Sequence, residues 1–362
     1  MKKYEIIAQW VRDEIASGNI HPGDKIPSES ELTKRFGVSR NAVRQALELL
    51  SGEGVTETLK GIGTFCRSKS IDSDNSMNIA FVCFFSDSYI FPKMIKGCSQ
   101  ILYKEGYQLL LNQSEYNLEK EREILMNLKN KSVDGIIIEP VYSGAGESNK
   151  DLMMEINEQG IPIILLDNEF PEHEFSSIRM DDFNGGLQAA EYLWQCGHRD
   201  IGVFYQQDYL TKIRRKEGAL EYLRQKGVSP ENVMQIGFTG QGEQSTAFQM
   251  AEKIFQARNV PTAFICSSDE DALQLINFAE TQNYNTPDDI SIISFDNSET
   301  AQLNQVSLTS FEHPSAYIGH LAAKLLLEQI QNREIGIRTN TVIAPRLLKR
   351  RSVKKLHKPT EQ

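Results

Sequence analysis

The 362-residue sequence has no apolar run of the roughly 18 residues that a membrane-spanning helix needs. Its opening, MKKYEIIAQWVRDEIASG, sets charges among the apolar positions and does not read as a signal peptide. Cysteine is scarce and scattered: Cys66, Cys83, Cys98, Cys196 and Cys266 form no CxxC pair, which argues against a zinc site or disulfide framework and for reduced core thiols. The expected setting is the cytoplasm, away from any membrane. No GxGxxG or GxxxxGK[ST] follows a predicted strand, so dinucleotide-binding and P-loop readings fail. Positive charge is also lacking, with a net charge of −10. The deficit is uneven. Residues 1–68 hold ten Lys and Arg against nine Asp and Glu, and the remaining 294 hold 29 against 40. Which face carries the cations therefore matters more than the total.

What is present begins with three helical patterns and a hairpin. Ile7, Val11 and Ile15 give a first helix one apolar stripe, and Gly18 ends it. Ser28 and Glu31 form a capping box for a second helix that runs to Phe36, and Gly37-Val38 makes a tight turn. Ser39 caps a third helix in which Val43, Ala46, Leu47 and Leu50 face inward. Arg40, Asn41, Arg44, Gln45 and Glu48 then face outward. Arginine can fork onto guanine, and asparagine or glutamine onto adenine, so this face suits a DNA major groove. ETLKGIGTFC reads as two short strands whose tip, around Lys60 and Gly61, can approach a phosphate backbone.

The run KIPSESELTKRFGVSRNAVRQALELLSGEGV…KGIGTF resembles the GntR-type winged helix-turn-helix, an α+β fold, over residues 1–68. The resemblance implies that Ser39, Arg40, Asn41 and Arg44, with the wing at Lys60 and Gly61, meet double-stranded operator DNA, and the outward face of the third helix adds Gln45. Departures are Ser30, where a basic residue often stands, and Glu57-Thr58, where the wing is usually basic. Residues 69–77, KSIDSDNSM, lack apolar periodicity and read as a flexible tether.

From residue 78 apolar strands and helices alternate in two runs of similar size: NIAFVCFF, YQLLLN, VDGIIIEP and IPIILLD, then RDIGVFY, NVMQIGF, PTAFICS and DDISIISFD. Such runs predict an α/β architecture of two doubly wound, parallel-sheet lobes. Ligands sit beyond the carboxyl ends of such strands, here across a cleft between lobes. Glu139, Asp167, Asp208, Ser268-Asp269 and Asp296 fall at strand ends, with Tyr89, Phe91, Phe170, Phe183 and Tyr205 on adjacent loops. Carboxylates that accept from hydroxyls, beside an aromatic face, suit a neutral polyhydroxylated ligand. Asp182 and Asp269 also read as helix caps.

WQCGHRDIGVF, RRKEGALEYL, PTAFICSSDEDAL, DDISIISFDNSETA and LTSFEHPSAYIGHLAAKLLLEQI resemble, in order and spacing, the LacI/GalR repressor core over residues 78–350. That core is periplasmic-binding-protein-like. The resemblance implies interlobe crossovers near 179, 313 and 343, a basic and polar tail at 351–362, and a homodimer. It implies effector contacts from Glu139, Asp167, Arg215, Ser268, Asp296 and His313, to which Tyr89 is added as a stacking aromatic. Many members have Asn-Asp where this chain has Ser268-Asp269, and Asp-Asp where it has Asp296-Asn297. His313 also reads as a hydrogen-bonded hinge residue. A GntR-type head on a LacI-type body is similar to the L-arabinose repressors of Gram-positive bacteria, as are SDSYIFPKMIKG and DGIIIEP. This implies a repressor of carbohydrate-use genes released by a small sugar, L-arabinose.

Other readings stand beside it. A repressor could answer to a different sugar or a phosphosugar. A GntR-type head also occurs fused to a pyridoxal-phosphate aminotransferase-like body, but such fusions are longer, and Ser143, Ser268 and His313 lie in motifs that a binding fold explains. A transport binding protein would not carry a DNA-binding head. No cofactor, metal or catalytic residue is expected.

Overall fold

The computed structural model describes the chain except Met1, Gly18, Arg258, Ile337 and residues 21–23, 53–54, 60–62, 67–75, 87–89, 131–132, 142–147, 171–174, 241–245, 304–306, 333–335 and 357–362. It divides into two compact units, Met1–Ser76 and Met77–Gln362.

In the first unit, α1 (Lys3–Ala16), α2 (Glu29–Phe36) and α3 (Arg40–Gly52) precede an antiparallel hairpin, β1 (Thr56–Leu59) and β2 (Gly63–Cys66). At the start of α2 the Ser28 Oγ accepts from the Glu31 N–H while the Glu31 carboxylate accepts from the Ser28 N–H, so two orphan donors are satisfied. Gly37 ends the helix at φ +59°, a conformation open to glycine at no steric cost. Ile7, Val11, Leu32, Val43, Ala46 and Leu50 are fully buried together. That core fixes which face of α3 looks outward.

The second unit contains two six-stranded sheets. The first lobe is built from β3 (Asn78–Cys83), α4 (Phe91–Lys104), β4 (Gln108–Gln113), α5 (Leu118–Lys129), β5 (Gly135–Ile138), α6 (Lys150–Glu158), β6 (Ile163–Leu166) and β7 (Ser176–Met180). The second takes α7 (Asp182–Gln195), β8 (Ile201–Gln206), α8 (Leu210–Gln225), β9 (Gln235–Phe238), α9 (Ala247–Phe255), β10 (Ala263–Cys266), α10 (Asp269–Thr281), β11 (Ser291–Asp296), α11 (Glu299–Leu303) and β12 (Thr309–Glu312). The chain then returns to the first lobe through α12 (Ser315–Gln331) and β13 (Asn340–Ile343), and ends on the second with β14 (Arg346–Leu348). The orders are β13-β7-β6-β5-β3-β4 and β14-β12-β11-β10-β8-β9. All pairs are parallel except β12 with β14. The chain thus changes lobe three times, after Met180, Glu312 and Ile343.

Helices cover both faces of each sheet, so β5, β6 and β10 are buried along their whole length. In each lobe two helices cross at glycines. A Cβ on Gly97 or Gly319 would overlap backbone across the α4–α12 crossing, and on Gly186 or Gly218 across α7–α8. Among the described residues, no helix is long and apolar enough to cross a membrane.

Both ends of the second unit depart from the expected boundaries. Residues 69–75 of the expected tether lie outside the described residues, but Met77 is held by the body: its N–H donates to Asp134 Oδ2, and its carbonyl accepts from Gln108. The expected tail is not free from residue 351. Ser352 is fully buried, its Oγ accepting from the Thr309 N–H and donating to the Ile292 carbonyl, and the Lys354 carbonyl meets His198 Nε2. The polar composition of this stretch serves backbone groups of the sheet.

Candidate functional site

In the first unit, Ser39, Arg40, Asn41, Arg44 and Gln45 are all exposed at the start of α3. Ser39 Oγ accepts from the Ala42 N–H at 3.4 Å. Arg44 Nε donates to both oxygens of Glu29, 3.1 Å each, an exposed pair of the kind worth little energy. A helix amino terminus with outward arginines and amides suits phosphates and base edges. Lys60 and Gly61, the expected wing contacts, lie outside the described residues.

In the second unit a cavity of about 660 Å³, its open mouth included, is lined from both lobes. Sheet topology explains the lining: Glu139 follows β5, Asp167 follows β6, Asp296 ends β11 and His313 follows β12, all at carboxyl ends. Asp167 and Asp296 sit at φ +50° and +99°, and Asn297 at +50°. Such a conformation in a non-glycine residue costs energy and clusters at functional sites.

Arg215 is the hub. Its Nε donates to Asp182 Oδ1 at 2.7 Å; its Nη1 donates to the Ser267 carbonyl at 2.6 Å and to Asp296 Oδ1 at 3.2 Å. The guanidinium lies 4.5 Å from the centre of the Phe295 ring. Lys212, one turn earlier on α8, donates to Gln206 Oε1 at 2.9 Å. His313 joins the lobes: Nε2 is 3.0 Å from Asp167 Oδ2 and Nδ1 is 2.7 Å from Ser315 Oγ. Burial pulls the imidazole pKa down, but the charge and hydrogen bond of Asp167 overcome it and raise it above the ordinary range. Glu139 differs. It is buried, its Oε2 has no partner among the described residues, and burial with the charges of Asp167 and Asp296 holds its carboxyl well above the usual range.

Of the expected effector residues, Glu139, Asp167, Arg215, Asp296 and His313 converge on this cavity. Ser268 does not line it: its Oγ accepts from the Asp271 N–H as the amino-terminal cap of α10. Tyr89 lies outside the described residues. Phe91 lines the cavity, but Phe170, Phe183 and Tyr205 do not, and Phe84, Phe85 and Tyr209 supply the aromatic wall with it. Asp182 and Asp269, expected as caps, are not: Asp181 caps α7 and Ser268 caps α10, each one residue earlier. Asp182 holds Arg215, while Asp269 accepts from Ser294 Oγ, Ser310 Oγ and the Ser298 N–H, knitting β11, β12 and the turn after Asp296. Sequence reasoning missed Tyr209, Thr211, Lys212 and Glu270. Thr211 and Lys212 had a signal, because they lie four and three residues before Arg215 and share its helix face.

Known proteins resemble both units. Residues 3–66 match the model of bacterial regulatory proteins of the gntR family, and residues 190–353 that of the periplasmic binding protein-like domain. An arabinose metabolism transcriptional repressor from Geobacillus stearothermophilus is 31% identical over 98% of this chain and 99% of its own length. One from Halalkalibacterium halodurans is 30% identical over 97% and 96%. The crystal structure of a LacI family transcriptional regulator from Enterococcus faecium, with bound ribose, superposes with a TM-score of 0.68 at 26% identity, covering 77% of this chain and all of that one.

Proposed function

The chain belongs to the arabinose metabolism transcriptional repressors, sugar-responsive DNA-binding proteins, and from that premise we propose that L-arabinose enters the cleft and releases a homodimer from double-stranded operator DNA. The observation that carries the sugar is the cavity's own charge. Glu139, Asp167, Asp182, Glu270 and Asp296 face Lys212, Arg215 and His313, and Glu139 Oε2 is a buried acceptor that wants a donor. Ligand hydroxyls donate; the ring's apolar face can lie on Phe84, Phe91 or Tyr209. A phosphosugar would bring further negative charge to a surplus of carboxylates, which favours the neutral sugar over that alternative.

On the head, Arg40 and Arg44 read guanine, Asn41 and Gln45 read adenine, and Ser39 with the wing at Lys60 and Gly61 holds phosphates. One recognition helix covers half an operator, so two copies are needed. The action is binding without catalysis, in the cytoplasm. Both ring nitrogens of His313 are already engaged, by Asp167 and Ser315, so the imidazole has no free nitrogen with which to activate a nucleophile. The test is a sugar panel read by calorimetry and by gel shift on operator DNA. L-arabinose should bind more tightly than D-ribose, D-xylose, D-galactose or any phosphosugar and should lower operator affinity. Tighter binding of another sugar overturns the effector; no change in operator affinity with any sugar overturns the response.

A further inference from the structure

We infer that Tyr116, which lines no part of the cavity, is a positioning residue for the effector response: it clamps together two aromatics of the cavity wall, Phe84 of the first lobe and Tyr209 of the second. The inference rests on reading this cavity as the sugar site.

Tyr116 lies in the turn between β4 and α5. Its ring is stacked on Tyr209, with centroids 4.5 Å apart and planes 10° apart, and meets Phe84 edge-on at 4.9 Å and 88°. Phe84 and Tyr209 meet edge-on at 5.2 Å. The Tyr116 hydroxyl crosses between lobes and donates to the Asp208 carbonyl. Tyr209, although it caps α8 of the second lobe, is buried in the first lobe's hydrophobic core. Offset and edge-on rings add energy beyond burial, and they fix orientation.

The turn is built for this placement. Glu115 and Tyr116 both have positive φ, +52° and +54°, two costly residues in succession. The Glu115 N–H donates to the Phe84 carbonyl and the Ser114 N–H to that of Cys83, so the turn is tied to the strand end bearing Phe84. On the other side, Asp208 Oδ2 accepts from the Gly240 N–H, and the Tyr209 carbonyl accepts from Ile213 in the first turn of α8. That helix carries Lys212 and Arg215. Fixing Tyr209 against the first lobe therefore fixes the second lobe's cations opposite Glu139 and Asp167. Burial raises the phenol pKa, so the hydroxyl stays a donor at any physiological pH.

The test uses the full chain with Tyr116→Phe, which keeps the rings and loses the interlobe hydrogen bond, and Tyr116→Ala, which loses both. Stopped-flow measurement with L-arabinose should show dissociation about three- to tenfold faster in Tyr116→Phe, the range of one hydrogen bond. It should be faster again in Tyr116→Ala, with association within twofold and operator affinity without sugar unchanged. Spin labels at Lys104→Cys and Glu231→Cys, on opposite lobes, read closure whichever sugar proves to be the effector. Both variants should lengthen or broaden the interlobe distance. Wild-type dissociation rates in both variants overturn the clamp. So do unchanged distances with and without saturating sugar, whereas a wild type blind to L-arabinose overturns only the effector.

Discussion

The two lobes share a topology but prepare their cleft edges differently. In the second, Arg215 is held at once by Asp182, the Ser267 carbonyl and Asp296, and Lys212 is held by Gln206. In the first, Asp167 is met by His313 from the crossover, and Glu139 Oε2 is met by no described residue. One edge is ordered before ligand arrives; the other has an unmet need. A ligand docked on the ordered edge gains its remaining hydrogen bonds when the first lobe closes. That difference in contacts between open and closed states is what lets a sugar shift the equilibrium between them.

Breaking the ordered edge should have the largest effect. Arg215→Ala strands the buried Asp182 and leaves Asp296 short of a partner, and loss of one member of a buried ionic group typically costs about 3–5 kcal/mol. Denaturant titration should show a loss of that order, and calorimetry should find sugar binding abolished. Glu139→Gln, at the other edge, should leave stability within about 1 kcal/mol of wild type while weakening sugar binding. Equal stability losses would erase the proposed contrast between lobes.

The first lobe keeps an ionisable group of its own beneath the cleft. Glu121 on α5 is fully buried, accepting from the Val141 N–H at 2.6 Å and from Asn149 Nδ2 at 2.9 Å, and so pins the chain just beyond Glu139. Burial outweighs these bonds and pushes its carboxyl up to about 7. Because the folded value exceeds the unfolded one, the contribution is most favourable below about pH 4.5 and is lost as pH rises through about 7. A shift of that size corresponds to about 3 kcal/mol. Glu121→Gln should flatten the stability profile across that window; a profile as steep as wild type would assign the slope to other groups.

The paired helix crossings sharpen the comparison at a smaller scale. A Cβ on Gly186 would strike the Arg215 carbonyl, and one on Gly97 the Ala316 carbonyl. Overpacking costs about 1–3 kcal/mol at either place. Only Gly186→Ala displaces the hub, so it should weaken sugar binding at least tenfold, while Gly97→Ala should lower the melting temperature and leave affinity near wild type. Similar affinities in the two variants would detach Arg215 from the crossing.

These contrasts also show how far the sequence could be read. Glu139, Asp167 and Asp296 were legible because each ends an apolar strand whose carboxyl end faces the cleft, whereas His313 was legible only from the motif that resembles the LacI-type core. Arg215 came from its motif. Asp182 was misread as a cap, a place that Asp181 takes, and was illegible as the partner of Arg215, because that role exists only once α7 crosses α8. Ser268 was misplaced for the opposite reason: a serine before a helix has a local job, and capping Asp271 won. The strands SSIRM and TSFE carry too few apolar residues to stand out, since Ser176 and Ser310 are buried on polar partners, Gln329 and Asp269.

The smallest expected signal is a proton. Burial and the charges of Asp167 and Asp296 hold the Glu139 carboxyl well above the ordinary range. A sugar hydroxyl that donates to Oε2 stabilises the carboxylate, lowers its pKa and favours loss of its proton. Arg215, already satisfied by three acceptors, has no comparable change to make. Calorimetry of sugar binding in buffers of different ionisation enthalpy should therefore show proton release, and Glu139→Gln should remove it. Proton uptake instead of release would mean that the ligand meets Glu139 as an acceptor. Release that survives Glu139→Gln would move the unmet need from the first lobe's edge to another carboxylate of the cleft.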